Sequence, residues 1–174
     1  SMIFAWLMNS RNGLFNQLLL GLGLSPLAWF DSSDTALGSV IAINVWKSVG
    51  YYTLIILAAL GGISSEINEA ATLDNTPAAR RLFKITLPMI SPQVFFMLVM
   101  VTISSFKVFD LVRLLTNGGP GTATNVLVLF IYRYAFEMNR QVGYACAAGV
   151  VLMFILLILT VVYFKLVEKR VHYQ

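Results

Sequence analysis

Apolar residues fall into three long blocks divided by shorter mixed segments. The only charge between Ala36 and Leu60 is Lys47, the block Ser91–Leu115 stays uncharged until Lys107, and Gln141–Phe164 carries no charge. A hydrocarbon core about 30 Å thick is crossed by ~20 residues of helix, so each block predicts a transmembrane helix. Three other apolar stretches are too short to cross. Met2–Met8 reads as the end of a helix, and Leu14–Leu24 as an interfacial helix closed by Gly21 and Gly23. Val126–Met138 has helical period but about half a span, which fits an interfacial or re-entrant helix. The predicted fold is all-α, a polytopic membrane helix bundle.

Composition agrees. Of 174 residues, 58% are hydrophobic and 11% charged, where soluble domains carry about 25% charge. The net charge of +4 comes without any dense basic run, which gives nucleic-acid binding no support. Cys146 and His172 are the sole cysteine and histidine and lie far apart, so neither has a companion at metal-ligand spacing. No metal site, cofactor or catalytic residue is predicted. Ser1 ahead of Met2 reads as a tag scar before a start codon, and the opening residues lack the basic segment of a secretory signal.

Basic residues orient the chain. Arg80, Arg81 and Lys84 lie between the first two spans, and Lys165, Lys169 and Arg170 follow the third; Arg11, Arg113, Arg133 and Arg140 scatter on the other side. The clustered set places the loop around Arg80 and the C-terminus in the cytoplasm.

That inner loop, about residues 63–90, reads as two short helices joined by a tight turn. Ser65 is the expected cap of the first, with Glu66 and Glu69 in its opening turns, where negative charge suits the helix dipole. Asp74–Asn75 ends it, since Asn tolerates the left-handed conformation. Thr76 is the expected cap of the second helix, with Pro77 at its first position. The first short helix has an apolar stripe at Ile67, Ala70 and Ala71; the second has one at Ala78, Leu82 and Ile85, with Arg80 and Lys84 together on another face. Spacing alone fits both a hairpin resting on anionic lipid and a docking element for a cytoplasmic partner.

Within the spans, Lys47, Lys107 and Asp110 each cost ~2.5–3.5 kcal/mol if they face lipid near the bilayer centre. Lys107 and Asp110 are three residues apart, so on one helix they can pair, and Arg113 extends that face. A structural ion pair and a hydrated translocation path both account for these charges. Asn117–Gly121 is a turn by composition. Tyr132, Phe136 and Tyr144 suit either an interfacial aromatic belt or stacking against a sugar, and the small residues Ala145, Ala147, Ala148 and Gly149 suit close helix packing.

The series Glu69-Ala70-Ala71, Asp74-Asn75, then Ile85-x-Leu87-Pro88 resembles the EAA loop of permease subunits in binding-protein-dependent ABC importers, with Asn75 where that pattern has glycine. Gly13-Leu14-Phe15-Asn16, Trp46-Lys47-x-x-Gly50, Phe109-Asp110, Leu115-Thr116-Asn117-Gly118-Gly119-Pro120-Gly121 and Gly143-Tyr144-Ala145 are similar to segments of the maltose and glycerol-3-phosphate branch. The resemblance covers about residues 2–167. It implies a sugar or polyol permease of the bacterial cytoplasmic membrane, of whose six spans this sequence holds the last part as one domain, residues 1–174. It also implies that Glu69, Ala70, Ala71, Asp74, Asn75, Ile85, Leu87 and Pro88 couple to an ABC ATPase subunit. A second permease subunit and an extracytoplasmic substrate-binding protein are the other implied partners, and Lys47, Lys107, Asp110 and Tyr132 are candidates for the path. No glycine-rich phosphate loop occurs in the sequence, so ATP chemistry is expected in a partner. The competing readings are an ATPase-independent transporter or channel, which broken helices or inverted repeats would favour, and an inert fragment.

Overall fold

The three apolar blocks are helical, and ten α-helical segments are found among the described residues, 2–138 and 141–167 of the computed structural model. Arg140, Lys169, Arg170 and His172 lie outside them. Helix α1 spans Met2–Leu7, α2 Leu14–Gly21 and α3 Ser33–Gly61, the first crossing. The hairpin follows as α4 (Ser65–Leu73) and α5 (Ala78–Arg81), then a π-helical turn at Leu82–Thr86 and the short α6 (Leu87–Met89). The second crossing is α7 (Ser91–Phe106) and α8 (Asp110–Leu115). After a loop come α9 (Leu127–Tyr132), a second π-helical turn at Arg133–Glu137, and the third crossing, α10 (Val142–Val167).

Within the most apolar window of each crossing only 11% of residues are buried by the chain. Apart from Lys47 on α3 the exposed surface of these windows is mostly apolar, as it must be where lipid or further membrane helices surround a helix.

Contacts divide the chain into two compact units. One comprises Ser1–Lys47 and Ser104–Ile155. Its core joins Met8, Ile43 and Leu111 in one cluster and Val40, Val112 and Leu129 in another, with Phe30, Val108 and Leu115 against both. Ala145 and Ala148 are buried, so part of the small-residue patch is used in packing inside the chain. The other unit comprises Ser48–Ile103 and Leu156–Gln174. There α7 meets α10 through an edge-on Phe95–Phe164 contact at 5.2 Å and a hydrogen bond between Thr102 Oγ1 and Tyr163 Oη at 3.1 Å.

The second crossing departs from expectation. Helix α7 closes with a tight turn, Lys107 N donating to Ser104 O at 3.1 Å, and Phe109 sits at φ −123°, ψ −58° before α8 begins. Lys107 and Asp110 are therefore not on one continuous turn, and no ion pair joins them. Asp110 instead occupies the first turn of α8, where an acid complements the exposed backbone N–H groups.

Candidate functional site

The hairpin is built by local signals. The cap of α4 is Ser64, one residue ahead of the expected Ser65: its side chain accepts from Glu66 N at 3.2 Å. Asp74 closes the helix, and Asn75 adopts φ +50°, the left-handed turn expected of it. Pro77, rather than Thr76, precedes the first residue of α5, with an extended backbone at φ −63°, ψ 144° and no side-chain cap. A π-helical turn just ahead of Pro88 has a physical reason. In a regular α-helix the proline ring would press on the carbonyl of Lys84, and the wider turn relieves that contact.

Glu69, Ala70, Asp74, Asn75 and Leu87 are exposed, and Ile85 and Pro88 are half-buried. Ala71 is different: at 4% exposure it packs inside the chain, so its small size serves internal fit. Glu69 shares with Ser65, Thr72, Leu73 and Arg81 the wall of an open concavity of about 520 Å³. Two further large apolar residues stand free here, Leu73 at 87% exposure and Phe83 at 67%. Neither lies on the stripes read from the sequence, and the signal for them was their presence on a short polar hairpin.

A second group of residues surrounds the loop Thr116–Thr124. Asn117 and Gly118 take φ +46° and +82°, Gly121 takes +59°, and the Gly119–Pro120 peptide is cis. Thr124, fully buried, donates to Gly119 O at 2.8 Å and lies 2.6 Å from Thr116 Oγ1. Two arginines hold Asn117: Arg113 reaches its side-chain oxygen at 3.0 Å and Arg133 its backbone oxygen. Arg113 also pairs with Glu137 at 2.5 Å and stands 4.9 Å over the ring of Tyr132. The second π-helical turn carries both Arg133 and Glu137. Tyr132 packs against Phe109 and Phe136, so much of its ring is engaged by the protein itself.

Lys47 stands apart from that cluster. It lines a concavity of about 290 Å³ with Phe4, Ile43, Trp46 and Leu111. The candidate path residues are thus not gathered in one site: Lys47 is on α3, Lys107 in the helix break, Asp110 at the start of α8, and Tyr132 in the aromatic cluster.

Sequence reasoning also missed what Gly13 and Asn16 do. Asn16 is 3% exposed; its amide donates to Ser10 O and Leu27 O and accepts from Leu27 N and Trp29 Nε1, all at 2.9–3.0 Å. Gly13 leaves no room for a side chain, since a Cβ there would lie 2.4 Å from Asn9 O.

Residues 1–173 match the family described as binding-protein-dependent transport system inner membrane component. The chain belongs to this family. Family relatives include the sulfoquinovosyl glycerol transport system permease SmoG of Agrobacterium fabrum, 32% identical over 97% of this chain and 54% of that protein. The sn-glycerol-3-phosphate transport system permease UgpA of Escherichia coli is 37% identical over 100% of this chain and 59% of its own length. The trehalose/maltose transport system permease MalF of Thermococcus litoralis is 35% identical over 93% of this chain and 54% of its own. A crystal structure of a bacterial alginate ABC transporter, in complex with an alginate pentasaccharide-bound periplasmic protein, superposes with a TM-score of 0.84. It is 25% identical and covers 97% of this chain and 60% of that one. The chain spans a little over half the length of these relatives. Its all-α architecture with three membrane-length helices is that of the family's permeases.

Proposed function

We propose that this chain is the C-terminal portion of one permease subunit of an ATP-driven importer that moves a sugar or polyol across the bacterial cytoplasmic membrane. The names of the relatives support the substrate class. The observation that carries the mechanism is the hairpin Ser65–Met89, a short capped helix and a turn-rich second helix set between two membrane-length helices.

In this reading the hairpin and the C-terminus are cytoplasmic, and the hairpin sits in a cleft of an ATPase subunit. Glu69 offers a charge-assisted hydrogen bond, Ala70 permits close approach, and Leu73 and Phe83 supply the desolvated anchors that dominate interface energetics. The Asp74–Asn75 turn keeps the knob compact. Ile85, Leu87 and Pro88 pass its movement to α7. Hydrolysis belongs to the ATPase. A second permease subunit completes the pathway, and an extracytoplasmic binding protein delivers the solute beside the loop Asn117–Gly121. Lys47, Lys107 and Asp110 line the path, and Tyr132 braces it.

The test is co-purification of the complete permease with its ATPase subunits. Glu69→Lys, Ala70→Trp and Leu73→Asp are expected to lower ATPase capture at least tenfold. Absence of capture by the native protein, or equal capture by all three variants, rejects the coupling role. The break at Lys107–Phe109 is the feature that favours an ATPase-independent transporter; membership of a binding-protein-dependent family weighs against that alternative.

A further inference from the structure

Between Arg11 and Asp31 no residue is charged, and this segment reverses the usual order of a protein surface. Asn16 is buried, and both atoms of its amide are bonded to Ser10, Leu27 or Trp29. The leucines face outward instead: Leu14, Leu18, Leu20, Leu22, Leu24 and Leu27 are all exposed, Leu22 by 76%. Gln17 and Ser25 are the polar side chains exposed among them. A helix that merely rests on a membrane turns a charged face to water; α2 has no charged face.

The backbone is closed off as well. Past the end of α2 the N–H groups of Leu22, Gly23 and Leu24 donate to the carbonyls of Leu18, Leu20 and Leu19 at 2.8–3.1 Å, with Gly23 at φ +75°. Hydrocarbon demands such internal pairing, because it offers no partner of its own. Polar groups gather at the neck of the segment, where the Ser10 hydroxyl donates to the Asp31 carboxylate and Arg11 is exposed.

Three surroundings compete for this surface. In water it would be a run of bare leucines, which soluble surfaces avoid. Protein interfaces are anchored by Trp, Tyr and Arg, with leucine under-represented; here the aromatic residues Phe15 and Trp29 are half-buried and pack edge-on against each other. Acyl chains ask only for apolar surface and satisfied polar groups. Helix α3, long and apolar enough to cross a membrane, begins two residues after Asp31 and continues the same surface.

We propose that residues 14–27 form a foot sunk into the acyl chains of one leaflet, at the end of the membrane where α3 begins. Its leucines hold it there, and headgroup charge does not. Arg11 and Asp31 mark the headgroup level. The foot sets the depth at which α3 enters, because Asn16 ties α2 to Leu27 and Trp29, and Ser39 on α3 donates to the Trp29 carbonyl. Membership of a membrane family is all this requires, so it stands apart from the transport reading.

The test uses the complete permease, purified with the membrane subunits that accompany it. It is reconstituted in phosphatidylcholine vesicles, with and without phosphatidylglycerol. Native cysteines, Cys146 included, are removed, and spin labels are placed singly by Leu18→Cys, Leu22→Cys, Leu24→Cys and, at the neck, Asn12→Cys. All four side chains are exposed, so the labels displace no core packing, and each leucine position reports independently of the others. Collisions are measured with molecular oxygen, which concentrates in lipid, and with nickel–EDDA, which stays in water. Oxygen collisions should exceed nickel collisions at least threefold at the three leucine positions, at a depth of ~5–10 Å in the headgroup and acyl boundary. Nickel should prevail at Asn12, and both lipid mixtures should give the same contrast. Nickel in excess at the leucine positions puts the segment in water, and few collisions with either reagent put a protein partner over it. A contrast seen only with phosphatidylglycerol assigns the hold to charge. Each of these three results overturns the proposal.

Discussion

Asn16 uses both ends of its amide within the chain, tying the turn at Ser10 to the backbone at Leu27 and the indole of Trp29. Trp29 then meets Phe15 edge-on at 6.1 Å, and its carbonyl accepts from the buried Ser39 hydroxyl at 2.9 Å. One polar side chain thus fixes the segment that leads into α3. Replacing it by leucine keeps the volume but leaves the Leu27 N–H and the Trp29 Nε1–H without their acceptor. A buried donor left unpaired costs about 1–3 kcal/mol, so Asn16→Leu is expected to lower the thermal midpoint of the detergent-solubilised permease. An unchanged midpoint would mean that water replaces the amide at no cost. Asn75 illustrates the opposite case, a residue whose role was legible: the left-handed conformation needed to end α4 is one that Asn tolerates, and it is found at φ +50°.

At the scale of elements, length and charge spacing revealed the crossings, but continuity escaped them. Ser91–Leu115 is long and apolar enough to cross, and nothing in its hydropathy marks the interruption at Lys107–Phe109. The break is made by backbone choices around Phe109 and by the acid that starts α8, whereas period-based reasoning assumes unbroken helix. Lys107 and Asp110 consequently lack the shared helical turn that an i, i+3 pair requires. Charge reversal tests this. Lys107→Asp and Asp110→Lys are expected to impair uptake independently, and the double reversal should show no rescue, with a coupling below ~0.5 kcal/mol as for separate sites. Recovery of uptake in the double variant would show that the two charges do meet in the complete permease. Cap positions were misplaced for a smaller reason. Adjacent Ser64 and Ser65 are chemically equal candidates, and only the geometry selects Ser64, whose oxygen reaches the Glu66 N–H.

The whole molecule was legible where physics acts over many residues and obscure where it acts over few. Three helices of membrane length, a polar hairpin and a glycine-rich loop follow from runs of like residues, while the exposed Leu73 and Phe83, the buried Ala71 and the double arginine hold on Asn117 depend on how short segments fold against each other. The transport reading adds a topological demand. Starting from a hairpin inside the cell, α7 and α8 must carry the chain outward, so the loop Thr116–Thr124 has to lie on the extracytoplasmic side, and α10 must bring it back. The positive residues Arg80, Arg81 and Lys84 on the hairpin are those that the positive-inside rule would retain in the cytoplasm. Arg113 and Arg133 do not contradict that rule, because both are engaged by Asn117, and Arg113 by Glu137 as well. Single cysteines placed by Arg80→Cys and Ala123→Cys, in a complete permease otherwise freed of cysteine, including Cys146, report the two sides directly. A membrane-impermeant thiol reagent should label the Ala123→Cys protein in intact cells. The Arg80→Cys protein should react only once the membrane is opened, because the bilayer otherwise separates reagent from thiol. Labelling of Arg80→Cys in intact cells would put the hairpin out of reach of any cytoplasmic ATPase, and ATP-driven coupling through it would then be physically impossible.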